Sequence, residues 1–346
     1  MGDVAQSGGL AQGENVTAAD TTVLAVEDLH VQFDVGRRTV RAVDGVSFSI
    51  RRGEIFGIVG ESGCGKSATL RALIGLLPPT GAHTSGRVAY EGRNLLELGE
   101  RGLRRVRGAE ISMVFQDPMT FLNPVLRVSE QIDEALRQHT SLGRAERRKR
   151  AVELMHLVGI ALPERRLREY PHQFSGGMRQ RVLIAIALAC GPKVLLADEP
   201  TTALDVTIQN QILKLLKRLR DELGMSIVLV SHDLGVIAQM CERVAVMYAG
   251  QVVESAPVRE LIRNPRHPYT VGLLSSLPRL DTDSRYLVPI PGAPPTLTEL
   301  KPGCRFADRC PLALDECTEW QTELLEASPG HRSRCLRYEI VSAVDV

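Results

Sequence analysis

Short unbroken apolar runs alternate along the chain with segments whose apolar residues recur every three or four positions. The runs are Ile55–Val59 (IFGIV), Val194–Ala197 (VLLA) and Ile227–Val230 (IVLV). Strands covered on both faces read this way, because neither side meets water. Between them, Ile208–Leu223 carries Ile212, Leu215, Leu216 and Leu219, the stripe of a helix packed on one face. This βαβ alternation predicts an α/β fold with a mostly parallel sheet. From about Phe121 to Cys190 strand signals are scarce, which predicts an inserted helical subdomain at about 121–190. Within it, Arg147, Arg148, Lys149 and Arg150 read as a solvated helix face. After about Pro257 prolines become frequent and regular elements short. A boundary there separates a domain at 23–256 from a C-terminal domain at 257–346. No internal repeat is found.

Composition narrows the class. The chain has 346 residues, about two domains' worth. Its longest apolar run near the middle, Val182–Cys190, has nine residues, against about 20 for a bilayer span. The net charge of +1 argues against a general nucleic-acid binder. The first 22 residues have no basic start and no apolar core, so they read as a disordered polar tail rather than a secretory signal. With no export signal, the expected compartment is the reducing cytosol. There, clustered cysteines more often bind metal than pair as disulfides.

The chemistry concentrates after the strand runs. Gly60–Ser67 reads GESGCGKS and lies between a strand and a helical run, Ala68–Leu77. This is the context a phosphate-binding loop requires. Gly60, Gly63 and Gly65 let backbone N–H groups turn inward around phosphate oxygens, across Glu61, Ser62 and Cys64 and into Ala68. The helix N-terminus adds its dipole. Lys66 supplies charge to the phosphates and Ser67 a hydroxyl to Mg²⁺. Cys64 is a spacer position, although a thiol at a helix start can have a lowered pKa. Asp198 and Glu199 follow VLLA at the carboxyl end of a strand, where open α/β sheets bind ligands. Asp198 suits Mg²⁺ and Glu199 suits polarising the attacking water. His232 ends the IVLVSH segment as a γ-phosphate contact, and Gln116 in VFQDP can sense metal and water. Ser175, Gly176 and Gly177 open a helix as a second anion-binding end. That makes sense if it faces the nucleotide of another subunit, while a plain turn before a helix would look the same.

In this order, GESGCGKS, Gln116, FSGGM, LLADEP and SHD resemble the ATP-binding subunits of ABC transporters, over roughly residues 23–256. The resemblance implies a P-loop ABC ATPase core with an inserted helical subdomain. It implies that Phe33 stacks on adenine and that Thr202–Asp205 (TALD), with Asp205, forms the loop touching the opposite subunit. The signature departs from the common LSGGQ at Phe174 and Met178. ISMVFQDPMTFLNP, YPHQFSGGMRQR and HPYTVGLLSSLPRL are similar to the D-type subunit of oligopeptide and dipeptide importers; nickel and glutathione importers share the texture. The expected partners are a second, related ATPase subunit, two transmembrane permeases and, indirectly, an extracytoplasmic peptide-binding protein. The expected location is the cytoplasmic face of the membrane. A soluble ABC ATPase acting on nucleic acid is the rival. Such proteins carry two ATPase copies or a long coiled coil, and this chain has one copy and no sustained heptads.

Cys304, Cys310, Cys317 and Cys335 follow C-x5-C-x6-C-x17-C. Structural zinc sites bring ligands in closer pairs. Four thiolates also suit a [4Fe–4S] cluster, whose spacings vary more, and Pro311 follows Cys310 as it often follows a cluster cysteine. PGCRFADRCPLALDEC is similar to the family's C-terminal domain, some of whose members carry such a cluster. The expectation is therefore a structural iron–sulfur cluster, with zinc as the alternative.

Overall fold

A computed structural model describes residues 22–202, 204–276, 289–319 and 323–341. The expected tail falls, save for Thr22, outside the described residues. So does the end of HPYTVGLLSSLPRL. Twelve strands are described: β1 (Thr22–Val35), β2 (Arg38–Arg51), β3 (Ile55–Val59), β4 (Ala82–Tyr90), β5 (Arg93–Asn94), β6 (Ile111–Val114), β7 (Val194–Asp198), β8 (Ser226–Ser231), β9 (Arg243–Tyr248), β10 (Gln251–Pro257), β11 (Leu325–Ser328) and β12 (His331–Ser333). They form an antiparallel sheet in the order β2-β1-β4-β5 and a larger sheet in the order β11-β12-β10-β9-β3-β8-β7-β6. In the larger sheet β9, β3, β8, β7 and β6 are parallel.

The apolar runs are buried on both faces because two cores share them. Phe56, Ile58, Val194, Leu196, Val228 and Val230 pack toward the antiparallel sheet, with Leu24, Val31 and Val46. Ile55, Val59, Leu195, Ala197, Ile227 and Leu229 pack toward the helices, with Val182, Ile212 and Leu216. Successive strand residues point to opposite faces, so a strand with two covers must be apolar throughout.

Between β6 and β7 the chain forms only helices and turns, among them Val128–His139, Arg144–Leu157 and Gly176–Ala187. The basic run differs from expectation at one position. Arg148 and Lys149 are exposed, but Arg147 donates to Asp133 at 2.6 Å and to the Leu142 carbonyl at 2.8 Å, pinning two helices together. The helix after the glycine-rich loop spans Lys66–Leu73, shorter than expected. Gly75, at φ +61°, turns the chain where only glycine sits easily.

The segment after Pro257 does not stand apart. β12 pairs with β10, joining Glu254 to Ser333. The fully buried Glu254 and His331 are bonded at 2.7 Å. The Arg266 N–H donates to the same carboxylate at 2.7 Å. The last strands thus extend the edge of the main sheet. They are only three and four residues long, too short to show a period in the sequence. Among the described residues no helix is long and apolar enough to cross a membrane.

Candidate functional site

Parallel pairing aligns the carboxyl ends of β3, β8, β7 and β6 at one edge. The residues that follow them build a cleft of about 430 Å³. Its lining includes Ser62, Gly63, Gly65, Lys66, Ser67, Ala68, Gln116 and Glu199. Two glycines make the loop possible. A Cβ on Gly60 would lie 2.1 Å from the Met247 carbonyl oxygen. One on Gly65, at φ +104°, would lie 2.2 Å from that of Ala42. Backbone oxygens cannot yield as a flexible side chain can. Lys66 is buried, its ammonium donating to the Gly60 and Glu61 carbonyls at 2.8 and 2.9 Å. Ser67 Oγ donates to Asp198 Oδ1 at 2.8 Å. Burial raises the Asp198 carboxyl's pKa, and the Ser67 bond opposes that shift. A hydroxyl beside a buried carboxylate is a donor set that fits Mg²⁺.

Glu199 is the hub. Its Oε2 accepts from Thr202 Oγ1 at 2.8 Å and Gln116 Nε2 at 3.2 Å, and lies 3.1 Å from His232 Nδ1. Lys66 Nζ stands 3.8 Å from its Oε1. Glu199 has φ +44°, in the left-handed region that side chains rarely occupy. Its N–H donates to the Val230 carbonyl and its carbonyl accepts from Thr202, which fixes that geometry. Backbone strain held by its surroundings is typical of functional positions. Thr202, noted in the sequence only within the interfacial loop, is also a direct partner of this carboxylate.

Other expected members lie elsewhere. Ser175 caps its helix, accepting from Met178 N–H at 3.4 Å. Ser175 and Gly176 are exposed and do not line the cleft. Gly177 is buried, with Ile208 where its Cβ would be. Asp205 caps Val206–Leu223 through Ile208 N–H at 2.9 Å. Phe33 is half-buried on β1 opposite Val40 and does not line the cleft. Cys64 corrects one expectation. Burial pushes its thiol pKa up, and the nearby Lys66 only partly offsets this. The side chain is packed inward, so only its backbone is available to a phosphate.

The four late cysteines line one cavity of about 20 Å³. Gly303, at φ +81°, lets the Cys304 N–H donate to the Cys317 carbonyl at 2.7 Å. Among the described residues no group of three or more His, Cys, Asp or Glu is close enough to hold a metal ion. The thiols are buried among Phe306, Leu312 and Leu336. This burial pushes the Cys304, Cys310 and Cys335 thiols up, Cys310 to about 11 and Cys335 to about 12. Neutral thiols pack as small apolar groups.

Two C-terminal residues reach the glycine-rich loop without any sequence signal: Arg309 bonds the Glu61 carboxylate and Tyr269 the Glu61 N–H.

Comparisons with known proteins agree with this geometry. Residues 43–202 match the family described as ABC transporter. Residues 253–317 match the oligopeptide/dipeptide transporter C-terminal region. The chain is 51% identical over 314 residues to the dipeptide transport ATP-binding protein DppD of Bacillus subtilis, covering 90% of this chain and 94% of that one. It is 52% identical over 318 residues to a probable peptide ABC transporter ATP-binding protein of Sinorhizobium fredii, covering 91% and 95%. Among solved structures, an ATP-binding cassette seen as a dimer in a post-hydrolysis state with ADP and Pi matches with a TM-score of 0.61 and 34% identity. That match covers 68% of this chain and 99% of the other.

Proposed function

This chain belongs to the ATP-binding subunits of ABC-type peptide transporters, and from that premise we propose how its residues couple ATP hydrolysis to peptide import. The carrying observation is the convergence of Gln116, Thr202, His232 and Lys66 on the Glu199 carboxylate. Lys66 exchanges its two carbonyl acceptors for the β- and γ-phosphate oxygens. Loop N–H groups hold the same oxygens. Ser67, Asp198 and Gln116 hold Mg²⁺, which neutralises charge on the phosphates. Glu199 polarises the attacking water, and His232 and Thr202 orient its carboxylate. Phe33 holds the adenine.

Ser175 and Gly176 lie outside the chain's own cleft, which supports a site shared between two subunits. In that reading they face the γ-phosphate bound to a second, related ATPase subunit, and Asp205 lies at the same junction. ATP closes the pair and hydrolysis reopens it, so nucleotide shifts a two-state equilibrium. The helical subdomain and Gln116 carry the motion to two permeases at the cytoplasmic face, with a peptide-binding protein outside. The test is ATP hydrolysis by the reconstituted assembly with and without peptide. Peptide-stimulated turnover is expected. Full activity of this chain alone at high dilution counts against the shared site.

The four cysteines are assigned a structural [4Fe–4S] cluster in the same reading. Four thiols on one cavity, with Arg334 and Arg337 in its wall, support it, since thiolates are the usual ligands of such clusters. Metal analysis of protein purified without oxygen tests it. One tightly held zinc per chain decides for the alternative, and metal-free protein with a folded C-terminal segment excludes both.

A further inference from the structure

The phosphate loop is gripped by the C-terminal segment. Arg309 forks onto Glu61, Nη1 donating to Oε2 at 2.8 Å and Nη2 to Oε1 at 3.0 Å. The Glu61 N–H donates to the Tyr269 hydroxyl at 2.9 Å, and the Glu61 carbonyl accepts the Lys66 ammonium. All three polar parts of this one loop residue are therefore held. Arg309 is 7% exposed. Its guanidinium also donates to the Pro291 carbonyl at 2.8 Å and the Tyr248 hydroxyl at 3.2 Å. Tyr269 is fully buried against Tyr248, with ring centroids 4.6 Å apart.

Two consequences follow from charge and geometry. Glu61 carries a carboxylate within a loop that must surround a polyphosphate. Left bare, that charge repels the ligand. A bidentate guanidinium neutralises it and fixes its direction. The loop also works only if its N–H groups face one point, and each freely rotating peptide costs entropy to align on binding. A loop held from outside has met that cost on folding.

We propose that Arg309 and Tyr269 are positioning residues for nucleotide binding, holding Glu61 so that the phosphate loop is set before MgATP arrives. This rests on reading Gly60–Ser67 as the ATP phosphate loop. Both residues lie outside the ATPase core and act through Glu61 without touching the nucleotide.

The experiment is MgATP titration of the purified full chain, with KM and kcat measured in the reconstituted assembly. Arg309→Lys keeps the charge and loses the fork. Tyr269→Phe keeps the ring and loses the acceptor. Each should weaken MgATP binding on the order of tenfold, raising KM while kcat stays within about twofold. Arg309→Ala should weaken it further, because it leaves the carboxylate bare. Adding Glu61→Gln to Arg309→Ala should then restore part of the affinity, which a merely structural loss cannot explain. Wild-type affinity in Arg309→Lys and Tyr269→Phe, or no rescue by Glu61→Gln, overturns the proposal. If Arg309→Ala fails to fold, the two conservative variants decide. Lys66→Ala is the control: if it binds MgATP as tightly as wild type, the phosphate-loop reading itself has failed.

Discussion

The phosphate loop and the cysteine cavity are both pockets made by loops, yet they are built by opposite means. In the first, the backbone makes the site, and glycine places it. Gly60 and Gly65 bring main chain against the Met247 and Ala42 carbonyls, so the motif carries its own shape. In the second, side chains make the site, and the backbone is held by arginines next to the thiols. Arg305, beside Cys304, bonds Asp44 and the Ala249 carbonyl. Arg309, beside Cys310, bonds Glu61. Arg334, beside Cys335, donates to the Val252 carbonyl at 3.0 Å. A backbone-made site takes its shape from its own glycines, and Arg309 and Tyr269 hold that shape from outside. A side-chain-made site depends on distant anchors and on whatever ligand draws its donors together.

The sharpest break of this comparison is at Glu199. Glu199→Gln should lower turnover by roughly 10²–10⁴, while MgATP binding persists through Lys66, Ser67 and Asp198. Equilibrium binding beside a phosphate-release assay checks both halves. Near-normal turnover would remove Glu199 from the chemistry. Lys66→Ala should act on the other quantity. Losing charge-assisted bonds to phosphate should weaken binding about 10- to 100-fold, read by the same titration.

Serine at Cys304, Cys310, Cys317 or Cys335 should act far from the chemistry. Bound metal should be lost, because cluster and zinc sites need all four thiolates. The C-terminal segment should become more open to limited proteolysis. Glu199-dependent hydrolysis should survive in the assembly, and MgATP affinity should fall by less than in Arg309→Lys. Abolished hydrolysis with intact metal would show that the two regions are not separable in this way.

The difference also explains what could be read from sequence. β3, β7 and β8 were legible because two cores make them apolar throughout, and GESGCGKS because its spacing is its geometry. β1 and β2 were not. They are half-buried, and their pairing shifts register between Val26 and Leu29 and again before Val31, which breaks the alternation that marks a strand. The Glu61–Arg309 pair spans 248 positions, and neither residue type signals the other. The four cysteines were legible as a set. Their convergence on one cavity was expected from that set, but the anchors that place them, Gly303 and the three arginines, were not. The interior role of Arg147 was hidden for a similar reason: its partner Asp133 lies on the preceding helix.

The smallest expected effect concerns pH and the start of the C-terminal segment. His267 is 1% exposed, and its Nδ1 accepts from Tyr269 N–H at 3.1 Å, capping the helix Pro268–Ser275. Burial lowers its pKa from 6.5 to about 3, with the Arg334 charge adding to the shift. Between those values the unfolded chain binds a proton that the folded chain refuses. Stability from this group is therefore fully present above the unfolded pKa and is lost as pH falls below it. At pH 5.5 the loss should be about 1.4 kcal/mol, one pKa unit's worth. His267→Asn keeps an oxygen that can cap the helix and removes the titration. Thermal melts from pH 7.5 to 5.5 should fall more steeply for wild type than for this variant. Parallel slopes would mean that His267 does not set the acid response, and that the carboxylates of the core dominate it.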